Sequence, residues 1–290
     1  MLLDFDKFLI KPNSKVNLKD YDTAYTAGLK KKDSLIELQS NTEELRAFQE
    51  RFWADNRYSM LIVLQAPDAA GKDGAIRHVM SGLNPQGCRV YSYKAPTSVE
   101  LKHDYLWRHY RDLPERGMIA VFNRSHYENV LATKVNPQFL LPERLPCIDS
   151  PEKANQAFWD RRYEQINNFE KHLYGNGCRI IKFFLNLSKD EQKKRLLSRL
   201  DEKEKNWKFS PSDLPARAQW DEYQKAYEEM MEKTSTDYAP WYVIPADKKY
   251  FARVAIGEVI VKHFKELELR YPQPASQEVL DKARETLMSE

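Results

Sequence analysis

The sequence predicts an α/β protein, with a mostly parallel central sheet and helices layered on both sides of it. Two observations carry this. Short apolar runs at 60–64, 88–93, 117–122, 179–187 and 241–246 are bounded by turn residues and have the length of buried strands. Between most of them lie longer stretches whose apolar residues recur at three- and four-residue intervals. Strands and helices therefore alternate, as parallel strands joined by crossover helices require.

Residues 1–57 read as an N-terminal helical extension. A polar start and the run Lys30, Lys31, Lys32, Asp33 precede Leu35, Leu38, Leu45, Phe48 and Phe52 at roughly helical intervals, and the lysines fit a solvated helix start. The 60–64 strand leads into a loop of small residues, after which Ile76, Val79, Met80 and Leu83 have helical spacing. Asn84, Pro85 and Gly87 turn the chain into the 88–93 strand. Residues 98–113 read as a helix in which Leu101, Tyr105, Trp107 and Leu113 are apolar. Arg108 and Arg111, three apart, lie near one face of it.

Pro114 and Gly117 introduce the buried 117–122 strand, which ends in Asn123, Arg124, Ser125, His126, Tyr127 and Glu128. An irregular connection over 135–151 precedes a long helix, 151–174, closed by Gly175, Asn176 and Gly177. The 179–187 strand feeds a helix at 188–200 that starts with capping-box spacing, Ser188 and Glu191. Its basic residues Lys193, Lys194, Arg195 and Arg199 continue through Lys203, Lys205 and Lys208 into a flap around Trp207. A helix over 213–233 carries Trp220, Tyr223, Tyr227 and Met230 on its apolar side. The last strand has Pro245 near its end, where a missing N–H does least harm. A helix over 248–269 and a polar tail helix past Pro272 complete the chain.

With 290 residues, 42% of them hydrophobic and 31% charged, the composition is that of an ordinary soluble globular protein. Its 46 basic and 43 acidic residues leave a net charge of only +3, so any polyanion site must arise from local clustering. Cys88, Cys147 and Cys178 lack C-x-x-C spacing and support neither a disulfide framework nor a zinc ribbon. Asp4 and Asp6 lie in a start without a long apolar core, and no apolar run reaches membrane-spanning length. A cytoplasmic protein is expected.

The loop 66–74 is the stretch around which the chain is organised. Strand, small-residue loop and helix start together form a phosphate cradle: backbone N–H groups converge, the helix start adds positive charge, and Lys72 reaches phosphate oxygens. Relative to G-x-x-x-x-G-K-[ST], Ala66 replaces the first glycine and Asp73 the final hydroxyl. A carboxylate inside such a cradle repels its ligand unless a cation lies between them; unit charges about 4 Å apart interact by roughly 4 kcal/mol at an effective dielectric of 20. Asp68 therefore predicts a metal. Arg124 leaves a buried strand at its carboxyl end, where open α/β sheets bind ligands, and can fork onto phosphate. Glu128 either holds a metal, orients an acceptor, or caps a helix with Ser125.

Several ordered stretches together resemble the polyphosphate kinase 2 family: 66–74 (APDAAGKDG), 81–87 (SGLNPQG), 103–108 (HDYLWR), 122–128 (FNRSHYE) and 206–210 (NWKFS). The likeness spans about residues 15–270. It implies a P-loop kinase fold over 58–270 with a helical lid at about 200–215, which leaves the tail helix read from the residues, 271–290, outside it. It also implies dependence on Mg²⁺, with Mn²⁺ as a substitute, and phosphoryl transfer between inorganic polyphosphate and purine nucleotides, with neither nucleic acid nor membrane as partner. Glu128, in a position where the class I pattern has Asn, resembles class III, which accepts both nucleoside mono- and diphosphates.

Carried onto this chain, the resemblance makes Asp68 the carboxylate for metal and acceptor phosphate, and gives Lys72 and Arg124 phosphate-binding roles. Glu128 positions the acceptor, and Arg199, with Arg195 as its near alternative, acts on the transition state. Ala69, Ala70, Gly71, Asp73 and Gly74 form the cradle. Arg77, Lys94, Arg108, Arg111, Arg195 and Lys208 are candidates for the polyphosphate groove, and Asn123 and His126 for the nucleotide. A homotetramer is the assembly the family likeness suggests. Two other readings are an ATP-dependent kinase of the thymidylate-kinase type, disfavoured by the altered loop, and a non-catalytic polyanion-binding module, which leaves Asp68 unexplained.

Overall fold

The computed structural model of the protein describes residues 3–290. Its strands are β1 (Leu9–Ile10), β2 (Ser59–Gln65), β3 (Cys88–Ser92), β4 (Ile119–Asn123), β5 (Cys178–Asn186) and β6 (Trp241–Pro245). Its helices are α1 (Asp33–Asp55), α2 (Lys72–Val79), α3 (Trp107–Arg111), α4 (Ala132–Val135), α5 (Gln156–Gly175), α6 (Lys189–Asp201), α7 (Asp213–Ala218), α8 (Trp220–Thr234), α9 (Lys249–Lys265) and α10 (Gln277–Met288). The strands form one sheet in the order β1-β6-β5-β2-β4-β3. All neighbours are parallel except β1, which runs antiparallel to β6.

The side-chain period of two explains how one central strand serves two cores. Met60, Ile62 and Leu64 of β2 enter the core beneath α1, α2 and α9, while Leu61 and Val63 enter the opposite core beneath α5 and α8. Both faces are covered, so β2 is apolar without alternation and each buried aliphatic side chain contributes about 1.5–3 kcal/mol.

The N-terminal extension is tied into this core. β1 extends the sheet edge, α1 packs on α9, and Glu232 and Glu228 of α8 accept from the backbone N–H groups of Val16 and Leu18 at 2.7 and 2.8 Å. A two-residue strand has too short a pattern to be read from sequence. Three helices also differ from their expected extent. The long one starts at Gln156 because Asn155 caps it, its Oδ1 accepting from Phe158 N at 3.1 Å. Only Trp107–Arg111 of the 98–113 stretch is α-helical. The 213–233 helix is broken at Gln219, which lets α7 turn back onto α6: Arg217 donates to the Lys189 carbonyl at 2.7 Å and to Gln192 Oε1 at 2.9 Å.

The three cysteines are free. No helix among the described residues is long and apolar enough to cross a membrane. The tail helix α10 buries none of its residues.

Candidate active site

Loop 66–71 leaves β2 at the carboxyl end of the sheet, between the ends of β4 and β5, the place where open parallel sheets hold ligands. Gly71 there has φ 105° and Ala69 has φ 62°. The left-handed conformation comes without steric cost to glycine but strains alanine, and such strain persists only where surrounding contacts enforce it.

Those contacts come from α6. Gln192 Nε2 donates to the Asp68 carbonyl at 3.0 Å. Arg195 Nη1 donates to the carbonyls of Ala69 (3.2 Å) and Ala70 (2.7 Å), and its Nη2 to those of Ala246 (2.7 Å) and Asp247 (3.1 Å). Its Nε bonds Glu191 Oε1 at 2.9 Å. All five guanidinium donors thus have protein acceptors. The expected capping box at the start of α6 is only half formed: Ser188 Oγ accepts from Glu191 N at 3.1 Å, while the Glu191 carboxylate serves Arg195.

The loop forms the floor of a cleft of about 870 Å³. Lys72 is buried there, and its ammonium donates to the carbonyls of Ala66 (3.0 Å) and Pro67 (3.4 Å). Burial, reinforced by the neighbouring Arg124 charge, pushes its pKa down to about 8 against the opposing pull of Asp68. Arg124, at φ 60°, pairs with Asp68 through Nη2 and with Glu128 Oε1 at 3.1 Å through Nη1. Glu128 above all holds the guanidinium protonated. Asp73 accepts from Asn123 Nδ2 at 2.6 Å, so an amide at the end of β4 orients the carboxylate that replaces the usual P-loop hydroxyl.

Of the candidates read from sequence, Asp68, Ala69, Ala70, Gly71, Lys72, Asp73, Gly74, Arg77, Lys94, Asn123, Arg124, Arg195, Arg199 and Lys208 all line this cleft. Arg199 is partly exposed, held at 3.1 Å by Asp213 and at 3.2 Å by the Lys208 carbonyl. Four expected residues lie elsewhere. Arg108 is buried with Nη1 on the Lys94 carbonyl at 2.9 Å and pairs with Glu100, so it braces the segment that carries Lys94. Arg111 lies over the Trp107 ring. His126 is fully buried beside Glu170 at 3.4 Å, where burial depresses its basicity, and it does not reach the cleft. Glu128 stands behind Arg124, outside the cleft lining.

Sequence reasoning missed Lys249 and Arg253 on α9, which also line the cleft, and gave no site role to Lys194 and Lys205, which do too. The signal for the first pair was present: two cations four apart, one helical face, just after the last strand. Burial and then Arg77 lower the pKa of Arg253; burial and then Arg195 lower that of Lys249. Cations crowded to the point of weakening one another are arranged for a ligand of high negative charge.

Residues 28–272 match the sequence profile described as Polyphosphate kinase 2. The chain belongs to the polyphosphate kinase 2 family. It is 47% identical to an ADP-polyphosphate phosphotransferase of Rhodopseudomonas palustris, over 99% of this chain and all of that one. It is 42% identical to an AMP/ADP-polyphosphate phosphotransferase of Meiothermus ruber, over 92% and 96% of the two chains. The crystal structure of Polyphosphate Kinase 2 from Arthrobacter aurescens superposes with a TM-score of 0.84 at 38% identity, covering 97% of this chain and 98% of that one. The α/β fold read from the sequence is thus that of a polyphosphate kinase 2, and the chain is a kinase of polyphosphate-dependent nucleotide phosphotransfer.

The donor set of this kinase suits a hard divalent cation. Asp68 and Asp73 are both oxygen donors on the cleft wall. Among the described residues no cluster of three or more His, Cys, Asp or Glu side chains forms a protein cage for a metal. Mg²⁺ is commonly held by one or two carboxylates, waters and substrate phosphates, and the residues present fit that mode.

Proposed function

We propose that this polyphosphate kinase 2 accepts both AMP and ADP, and the corresponding guanine nucleotides, with the basic cleft as the seat of the polyphosphate chain. The observation that carries the reading is the cleft itself: a phosphate cradle with a carboxylate at its centre, extended by Arg77, Arg253, Lys249, Lys205 and Lys208 well beyond what one nucleotide needs.

In the reaction an oxygen of the acceptor's terminal phosphate attacks the terminal phosphorus of the chain. The bridging P–O bond breaks, and its electron pair stays with the shortened polyphosphate. Alignment and charge neutralisation supply most of the catalysis. Lys72 and the loop N–H groups hold the phosphates, and Arg124, fixed between Asp68 and Glu128, faces the reacting groups from the opposite wall. Arg199 exchanges Asp213 for the transferring group; Arg195 has no donor to spare. Asp68, with Asp73 beside it, would hold Mg²⁺, which supplies further neutralisation of phosphate charge; Mn²⁺ fits the same oxygen donors.

We place the enzyme in the cytoplasm, in keeping with its free cysteines, and as a homotetramer, which light scattering in solution tests. The donor is tested by comparing polyphosphate with ATP at fixed AMP and Mg²⁺. Polyphosphate is expected to be the faster donor; equal or faster transfer from ATP refutes the assignment of the cleft. Rates with AMP, ADP, GMP and GDP test the acceptor range.

A further inference from the structure

Gln65, the last residue of β2, is fully buried and directly precedes the phosphate loop. Its partners fix how its amide is turned. An amide oxygen directed at Glu128 would set acceptor against acceptor, so the nitrogen points there: Nε2 donates to Glu128 Oε1 at 3.1 Å. The amide oxygen accepts from Ser125 N at 3.2 Å and from Ser125 Oγ at 3.1 Å. Arg124 Nη1 donates to the same Glu128 oxygen, also at 3.1 Å.

The backbone leads to the same arginine. Just past the paired residues of β2 and β4, Arg124 N donates to the Leu64 carbonyl at 3.0 Å. The next N–H, that of Ser125, goes to the Gln65 side chain. Gln65 thus holds both the peptide that follows Arg124 and the carboxylate on which its guanidinium leans. Arg124 stands between them at φ 60°, a conformation that strains a non-glycine residue and persists only where its surroundings enforce it.

Gln65 does not line the cleft, so whatever it does for the reaction passes through Arg124. We infer that Gln65 is a positioning residue for phosphotransfer: through Ser125 and Glu128 it sets Arg124 in register with the cradle that begins at the next residue, Ala66. Only an amide meets both needs of this place without charge, a donor for the carboxylate and an acceptor for Ser125. A carboxylate there would keep the Ser125 bonds but bring like charges into contact. The inference rests on the role proposed for Arg124 and adds what aims it.

The test compares Gln65→Glu, Glu128→Gln and the two substitutions together with the wild type, measuring kcat, KM for AMP and for polyphosphate, and Tm. The double exchange keeps the total charge and every hydrogen bond, because carboxylate and amide merely trade places. Each single variant is expected to lose about 10²-fold in kcat, the scale of a slightly misplaced catalytic group, with both KM values within about threefold. The double exchange is expected to return to within about tenfold of wild type. A double exchange no faster than the slower single variant, or one that does not fold, overturns the inference. So does Gln65→Glu with wild-type kcat, or with a loss confined to KM. Should Gln65→Glu not fold, the double exchange decides alone: within tenfold of wild type supports the inference, and a slower enzyme overturns it. Arg124→Ala with wild-type kcat defeats the role proposed for the arginine and this inference with it, whereas a slow Arg124→Ala beside a fully active Gln65→Glu defeats this inference alone.

Discussion

Arg195 Nη1 donates to the carbonyl of Ala70 at 2.7 Å, and this contact makes the arginine a strut of the phosphate loop. Its remaining donors are also placed, two of them on the chain just past β6. Arg199, one helical turn on, contacts only the flap segment, through Lys208 and Asp213.

The two arginines should therefore fail differently. Arg195→Ala leaves several buried carbonyls unpaired and is expected to cost about 2–4 kcal/mol of stability, read as a lower Tm together with lost activity. Arg199→Ala is expected to keep its Tm and lose about 10³–10⁵ in kcat, as a transition-state arginine does. Normal turnover in Arg199→Ala removes it from the mechanism.

Lys72 predicts an alkaline limit. Phosphate binds the ammonium form, and burial brings the pKa to about 8, so kcat/KM for polyphosphate should fall as pH rises through that value. Lys72→Arg, which stays charged, should lose the alkaline limb while turning over more slowly. A limb that persists in Lys72→Arg belongs to another group.

Asp68 predicts metal dependence. Chelation of Mg²⁺ should abolish transfer, and Asp68→Asn should lower kcat about 10²-fold or more, with extra Mg²⁺ recovering part of the loss. Titration of activity against Mg²⁺ reads both effects; full activity in a chelator contradicts the role given to Asp68.

A fourth prediction concerns the buried charge pair behind Tyr127. Lys182 Nζ lies 2.6 Å from Glu170 Oε2, both fully buried, and Tyr127 bonds the other carboxylate oxygen at 2.7 Å. Burial pushes the Glu170 carboxyl up, but Lys182 and His126 outweigh it and hold the group below its ordinary value. Glu170→Ala strands the ammonium and is expected to cost about 3–5 kcal/mol in chemical denaturation. Because the folded carboxyl is the stronger acid, the pair's contribution is present above the ordinary carboxylate range and is lost as pH falls through the folded value.

Most of the sheet was legible because its strands are buried on both faces and read as unbroken apolar runs. Loop 66–74 was legible because a phosphate cradle needs small residues and a lysine at fixed offsets. Side chains that answer to distant partners were less so. Arg108 and Arg111 have the spacing of a basic face, yet one turns inward to the Lys94 carbonyl and the other covers Trp107. His126 follows the site arginine by two residues, but the tight turn after Ser125 sends it into the core. Lys249 and Arg253 share a helical face just after the last strand, but what that face meets is set by α9 packing beside α2, which the spacing alone does not reveal.

The most direct test of the central claim follows phosphorus by NMR in a mixture of the enzyme, Mg²⁺, AMP and polyphosphate. Phosphorus lost from the chain should reappear one for one as the β-phosphate of ADP and then the γ-phosphate of ATP. Orthophosphate released while AMP stays unchanged, or a chain left intact by folded enzyme, would contradict it.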